Sequence, residues 1–173
     1  MPTITLDKKD LMKLLGKTIP DEKLKDRISM LGTDLERVTN TEIEVEIFPN
    51  RPDMLSAEGF ARALSSFMGI KKGLREYKVN KSPYKSKKDK KVSSVRPHAV
   101  NAVIKNIILN DATIKSLMQV QEKLHGSHGR NRKKVSIGVY DLNKIKFPLT
   151  YTTKPKSFKF TPLEFSKDIP ISE

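Results

Sequence analysis

Isoleucine and valine alternate with glutamate over Glu42-Ile43-Glu44-Val45-Glu46-Ile47, sending Ile43, Val45 and Ile47 to one face and the acids to the other. A period of two predicts an antiparallel strand with one wet face. Leu35 to Val38 is expected to pair with it through a turn at Thr39-Asn40, which makes a hairpin. Upstream, Thr3 to Leu6 reads as a short strand, and Asp7 is placed to cap a helix with Leu11, Leu14 and Leu15 at helical spacing, stopped by Gly16. Pro20 and Asp21 start a second helix with Leu24, Ile28 and Leu31 on one stripe, ended by Gly32. After Pro49-Asn50-Arg51-Pro52-Asp53, a third helix carries Ala57, Phe60, Ala61, Leu64, Phe67 and Met68 on a wide apolar stripe up to Gly69. Residues 1–70 therefore hold the makings of a complete small α+β domain.

The pattern changes at Lys71. From there to Lys91, ten of twenty-one residues are Lys or Arg, with few large apolar residues, which predicts a basic linker or mobile loop over 71–91. A second globular pattern follows over 92–173. It holds an apolar strand through Val100, Val103, Ile104, Ile107 and Ile108, then a helix capped by Asn110 or Asp111 with Ile114, Leu117, Met118, Gln121 and Leu124 on one face. An alternating strand is expected at Val135, Ile137 and Val139, with further strand-like runs at Phe147 to Thr153 and Phe158 to Thr161. One helix with several strands leaves open edges, so this part reads as a domain cut short or completed by another chain.

Charge separates the same two parts. Residues 1–70 hold ten Lys/Arg against twelve Asp/Glu, a net of −2, whereas residues 71–173 hold twenty-four against eight, a net of +16, so the whole cation excess lies in the second part. Such an excess points to a polyanionic partner, because each phosphate neutralised by Lys or Arg releases condensed counterions. The absence of cysteine excludes disulfides, thiolate metal sites and a Cys nucleophile. No run approaches the roughly 18 apolar residues of a membrane span, and the first residues lack a signal peptide's apolar core. A cytoplasmic protein is expected.

The chemistry-bearing candidates are few. Arg130, Arg132, Lys133 and Lys134 cluster in a loop before a strand, where they can reach phosphates without entering a core. Lys85, Lys87, Lys88, Lys90 and Lys91 form a second cationic run. Contact with an RNA backbone is expected from both, and base readout is not, since aromatic platforms such as Tyr77, Tyr84 and Tyr140 are few in the basic part. Asn50-Arg51-Pro52-Asp53 reads as architecture: the prolines stiffen a turn, Asp53 or Ser56 can cap the next helix, and Arg51 can bind a nearby carboxylate or carbonyl. His125 and His128 have a permitted metal spacing but lack a suitable third ligand nearby, so no metal site is expected. No phosphate loop or nucleophile signature occurs, so no catalytic residue is assigned.

The run Phe48-Pro49-Asn50-Arg51-Pro52-Asp53-Met54-Leu55-Ser56-Ala57-Glu58-Gly59-Phe60-Ala61-Arg62 resembles a signature of the phenylalanyl-tRNA synthetase beta subunit family. Gln121 to His125, followed by Gly129-Arg130-Asn131-Arg132-Lys133-Lys134-Val135-Ser136-Ile137-Gly138-Val139-Tyr140-Asp141-Leu142, is similar to the archaeal and eukaryotic branch of that family. The resemblance runs from Ile4-Thr5-Leu6-Asp7 to the Phe158–Leu163 run and implies the N-terminal part of a subunit several times longer. Tyr140 stands where the family often has His, so no role is carried onto that position. The resemblance implies an enzyme of two alpha and two beta subunits that joins phenylalanine to its tRNA using ATP and magnesium. It also implies that residues 92–173 are the first part of a tRNA-editing domain whose pocket residues lie beyond 173. On that basis the chain alone is expected to hold no cofactor and to be inactive, with the alpha subunit, a second beta subunit and tRNA as partners. The competing expectation is a free-standing basic RNA-binding or editing-like protein of the same ancestry.

Overall fold

The computed structural model describes residues 1–171 and shows a mixed α and β protein with four α-helices and three small sheets among them. It divides into two compact units, Met1–Tyr77 with Ile108–Val139, and Lys78–Ile107 with the residues from Tyr140 onward.

In the first unit, β1 (Thr3–Asp7), β2 (Asp34–Val38) and β3 (Glu42–Glu46) form an antiparallel sheet in the order β1-β3-β2. Ile4 faces Val45 and Leu6 faces Ile43 across the β1–β3 ladder, so the period of two in each strand puts all four side chains on the buried face. The hairpin β2–β3 forms as the alternation predicts, with a register irregularity between Leu35 and Arg37. Helix α1 (Lys8–Leu15) starts directly from β1: the Asp7 carboxylate accepts the Asp10 amide at 2.8 Å. It stops at Gly16, whose φ of +71° suits a residue without a Cβ. Helix α2 (Asp21–Met30) begins after Pro20 and buries Leu24 and Ile28.

Helix α3 (Ala57–Phe67) closes the core with Phe60, Ala61 and Leu64. Of the two capping candidates, Ser56 is the cap, its hydroxyl accepting the Gly59 amide at 3.0 Å. Asp53 lies in a short 3₁₀ turn, Pro52–Met54, that places Met54 and Leu55 in the core. Leu14 and Phe67, expected on apolar stripes, sit at the stripe edges, 40% and 43% exposed. Helix α4 (Asp111–Gly126) is capped by Asn110, which accepts the Thr113 amide at 2.9 Å. It packs Leu124 against the same core and joins α3 through Ser116 Oγ, which donates to Glu58 at 3.0 Å. The expected apolar face is only partly covered: Leu117 and Leu124 are half-buried, while Ile114 and Met118 are exposed.

The second unit is loosely built. Strand β4 (Ser86–Lys88) pairs in parallel with β5 (Leu149–Tyr151), and β6 (Lys159–Phe160) pairs antiparallel with β7 (Ile169–Pro170). Tyr84 and Phe147 touch with ring centroids 4.6 Å apart. Within the basic run, Ser86–Lys88 is thus strand, while 71–85 form no regular element.

Two expected strands are absent. The run from Val95 to Leu109 forms no ladder, and Val100 and Ile108 are 95% and 91% exposed. Val135 to Val139 pairs with no strand either. Their apolar sequences favour extended backbone, but a strand exists only where a neighbour satisfies its N–H and C=O groups, and no described segment takes that place.

Candidate nucleic-acid interface

The loop of 127–134 grows out of the C-terminal turn of α4. Ser127 caps that turn, its amide donating to the Lys123 carbonyl at 3.1 Å and its hydroxyl donating to the same oxygen at 2.6 Å. The chain then folds back through Gly129, whose amide donates to the Leu124 carbonyl at 2.7 Å. Gly129 is buried, and a Cβ there would stand 2.5 Å from the Val135 carbonyl oxygen, so only glycine fits. Next come Arg130, Asn131 and Arg132, with φ of +48°, +53° and +64°. Left-handed backbone costs roughly 1–2 kcal/mol per non-glycine residue, so three in succession must be held by their surroundings.

The holding network centres on Glu122 and His125, one helical turn apart. The Ile137 amide donates to His125 Nε2 at 2.7 Å, which leaves the ring proton on Nδ1, 3.2 Å from Glu122 Oε1. His125 is 3% exposed. Both Glu122 carboxylate oxygens also accept from Arg132 Nη2 at 2.7 Å, and the Arg132 amide donates to the His125 carbonyl at 3.2 Å. The His125 hydrogen bond, and after it the Arg132 guanidinium, holds the Glu122 carboxyl below the usual carboxylate range. His125 is therefore a core latch. The segment after the loop is tied down by a side chain where a strand neighbour was expected, and Arg132 is turned back onto its own helix.

Arg130, Lys133 and Lys134 are all exposed. Arg130, Lys134 and His128 line an open groove of about 590 Å³ together with Phe48, Pro49 and Pro52. In the Asn50-Arg51-Pro52-Asp53 turn, Arg51 Nε and Nη2 each donate to the Asp53 carboxylate at 2.9 Å. The Arg51 guanidinium draws the Asp53 carboxyl below its ordinary value.

In the second unit, Lys85, Lys87, Lys88, Lys90 and Lys91 are all exposed around β4 and the 3₁₀ turn Lys90–Val92. Asp89 organises them: its amide donates to the Tyr151 carbonyl at 2.9 Å, and its carboxylate accepts from the Lys91 amide and the Thr152 hydroxyl, each at 2.9 Å. Those two bonds, the Lys91 amide first, lower its pKa. Val92, 5% exposed, anchors the turn, and the Lys88 ammonium donates to the Pro97 carbonyl.

One group of acids among the described residues brings ligand oxygens within 4.8 Å of one another, Asp34, Glu36 and Glu46. Glu46 there is already 2.8 Å from the Met1 ammonium. No helix is long and apolar enough to cross a membrane among the described residues.

Residues 1–70 match the family model described as the Phe-tRNA synthetase beta subunit B1 domain. The whole chain is 45% identical to a phenylalanine–tRNA ligase beta subunit of Archaeoglobus fulgidus, covering 31% of that protein. It is 43% identical to the corresponding protein of Methanococcoides burtonii, covering 32%. An N-terminal fragment of the phenylalanyl-tRNA synthetase beta subunit from Pyrococcus horikoshii has the same fold, with a TM-score of 0.88 at 33% identity over 99% of this chain and 51% of that one. The chain thus spans about a third of the length of the curated relatives it matches. From its first strand to its last, it belongs to the phenylalanine–tRNA ligase beta-subunit family.

Proposed function

We propose that the chain serves phenylalanine–tRNA ligation and the editing of mischarged tRNA as an accessory part of the beta subunit, contacting the tRNA backbone and neighbouring parts of the enzyme. Aminoacyl transfer with ATP and magnesium belongs, in this reading, to the whole assembly of two alpha and two beta subunits. The chain alone performs neither ligation nor appreciable deacylation. Residues 1–70 act as a framework domain, 71–91 as a basic connector, and 92–173 as the opening part of the editing domain.

The observation that supports tRNA contact is the disposition of cations. Arg130 and Lys133 protrude from a loop stiffened by the Glu122–His125 network, and the five lysines around β4 all face solvent. Loops held in one geometry lose less entropy on binding than mobile ones. Arg132, bonded to Glu122, contributes to the shape of the loop. The test is titration of the chain with tRNA specific for phenylalanine and with an unrelated tRNA, over several salt concentrations. Affinity for both should fall steeply with salt, at about 0.7–0.9 log units per log unit of salt for each phosphate neutralised. Salt-insensitive binding, or strong preference for one tRNA, contradicts the reading.

A further inference from the structure

The two sequence runs that resemble the synthetase family, Phe48–Arg62 and Gly129–Leu142, lie far apart in the chain, yet residues of both line the same groove. Phe48 and Pro52, both half-buried, and the exposed Pro49 give it apolar lining. Arg130, Lys134 and His128, all exposed, line it as well. No carboxylate lines it. Its volume of about 590 Å³ is larger than one nucleotide needs, and it is open to solvent.

We infer that this groove is a binding site for one unstacked nucleotide of a single-stranded RNA segment, its base lying on the Phe48 ring and the proline faces and its phosphate held by Arg130. The inference rests on the tRNA-contact reading and deepens it, because phosphate contacts alone leave the apolar lining without a part. Every base has a π face, so an aromatic ring beside a cation accepts any base and favours single strands over duplex. The left-handed backbone at Arg130 fits the same role: the Glu122–His125–Arg132 network fixes the point from which that guanidinium leaves the loop. An acidic peptide with an apolar side chain is the competing occupant. An aromatic ring and a guanidinium lining one groove, together with the cation excess of residues 71–173, favour the nucleotide.

The test titrates the full chain with a five-residue oligouridylate and with a blunt RNA hairpin, comparing wild type, Phe48→Leu and Arg130→Gln after thermal melts confirm that each variant folds. Phe48→Leu is expected to weaken the oligomer about tenfold with an unchanged salt slope and to leave the hairpin alone, as stacking loss requires. Arg130→Gln should weaken the oligomer and lower its salt slope by about 0.7, the loss of one single-strand phosphate. Equal effects of Phe48→Leu on oligomer and hairpin, or none on either, overturn the groove inference while salt-dependent tRNA binding by wild type keeps the broader reading. Failure of the wild type to bind any RNA overturns both.

Discussion

Gly59 lies under the Asp53 carbonyl so closely that a Cβ on it would stand 2.0 Å from that oxygen. The stiff turn lies directly on the first turn of α3, and Ser56 caps the same helix by accepting the Gly59 amide, so the proline-rich turn, the serine and the glycine form one packed unit. Gly59→Ala must push backbone against backbone. It is expected to destabilise the first unit by about 3 kcal/mol, at the upper end of overpacking costs, read as a drop in thermal midpoint; an unchanged midpoint would mean that the turn can lift away freely.

Phe60, fully buried next to it, tests the core itself. Phe60→Ala should cost about 3–5 kcal/mol, enough to unfold a domain of this size. All buried members of the core cluster fall between Ile4 and Leu64, so residues 1–72 expressed alone are expected to melt cooperatively. Leu124 lends that core one partly buried contact from α4, and the fragment should therefore melt below the full chain. A broad, non-cooperative melt with little helical signal would show that the core borrows more than this.

The Arg51–Asp53 pair sets a pH dependence. The Asp53 carboxyl is depressed in the folded state, chiefly by its bonds to Arg51, so its stabilisation is complete above the ordinary carboxylate range and is lost as pH falls through the folded value. The Asp53 side chain is 42% exposed, which makes the effect modest. Thermal midpoints measured from about pH 6 to about pH 3 should fall less steeply in Arg51→Met than in wild type. Parallel curves would remove the pair from the acid response.

His125 offers the sharpest structural test. Replacing it by Phe keeps an apolar ring in the site but leaves the Ile137 N–H without its acceptor, a loss of about 1–3 kcal/mol. Hydrogen exchange at Ile137 should accelerate, and the exchange of core amides such as Ile43 should change far less. Equal acceleration at both would make His125 part of one undivided fold.

The first unit was largely legible because its signals are local: the alternation at Glu42–Ile47, the Asp7 cap, and glycines at 16, 32 and 69 each act within a few residues. Strand tendency at Val95–Leu109 was equally plain in the sequence. It is unexpressed because pairing depends on a distant neighbour, which periodicity cannot report. In the basic loop the charges were visible and their arrangement was not. Arginine disfavours left-handed backbone, so nothing in Arg130-Asn131-Arg132 announces three such residues in a row; the only available clue was Glu122 one turn before His125, a spacing that places both on one helix face. The groove joining Phe48 to Arg130 depends on tertiary packing and has no sequence signal beyond the two runs themselves.

The account turns on which cations meet phosphate, and salt slopes measure that count. For tRNA binding by the full chain, Arg130→Gln with Lys133→Gln should lower the slope of log affinity against log salt by about 1.5, two phosphates at 0.7–0.9 each, and should weaken cognate and unrelated tRNA alike. An unchanged slope in that double variant, with wild-type affinity retained, would contradict the claim that this loop holds the tRNA backbone.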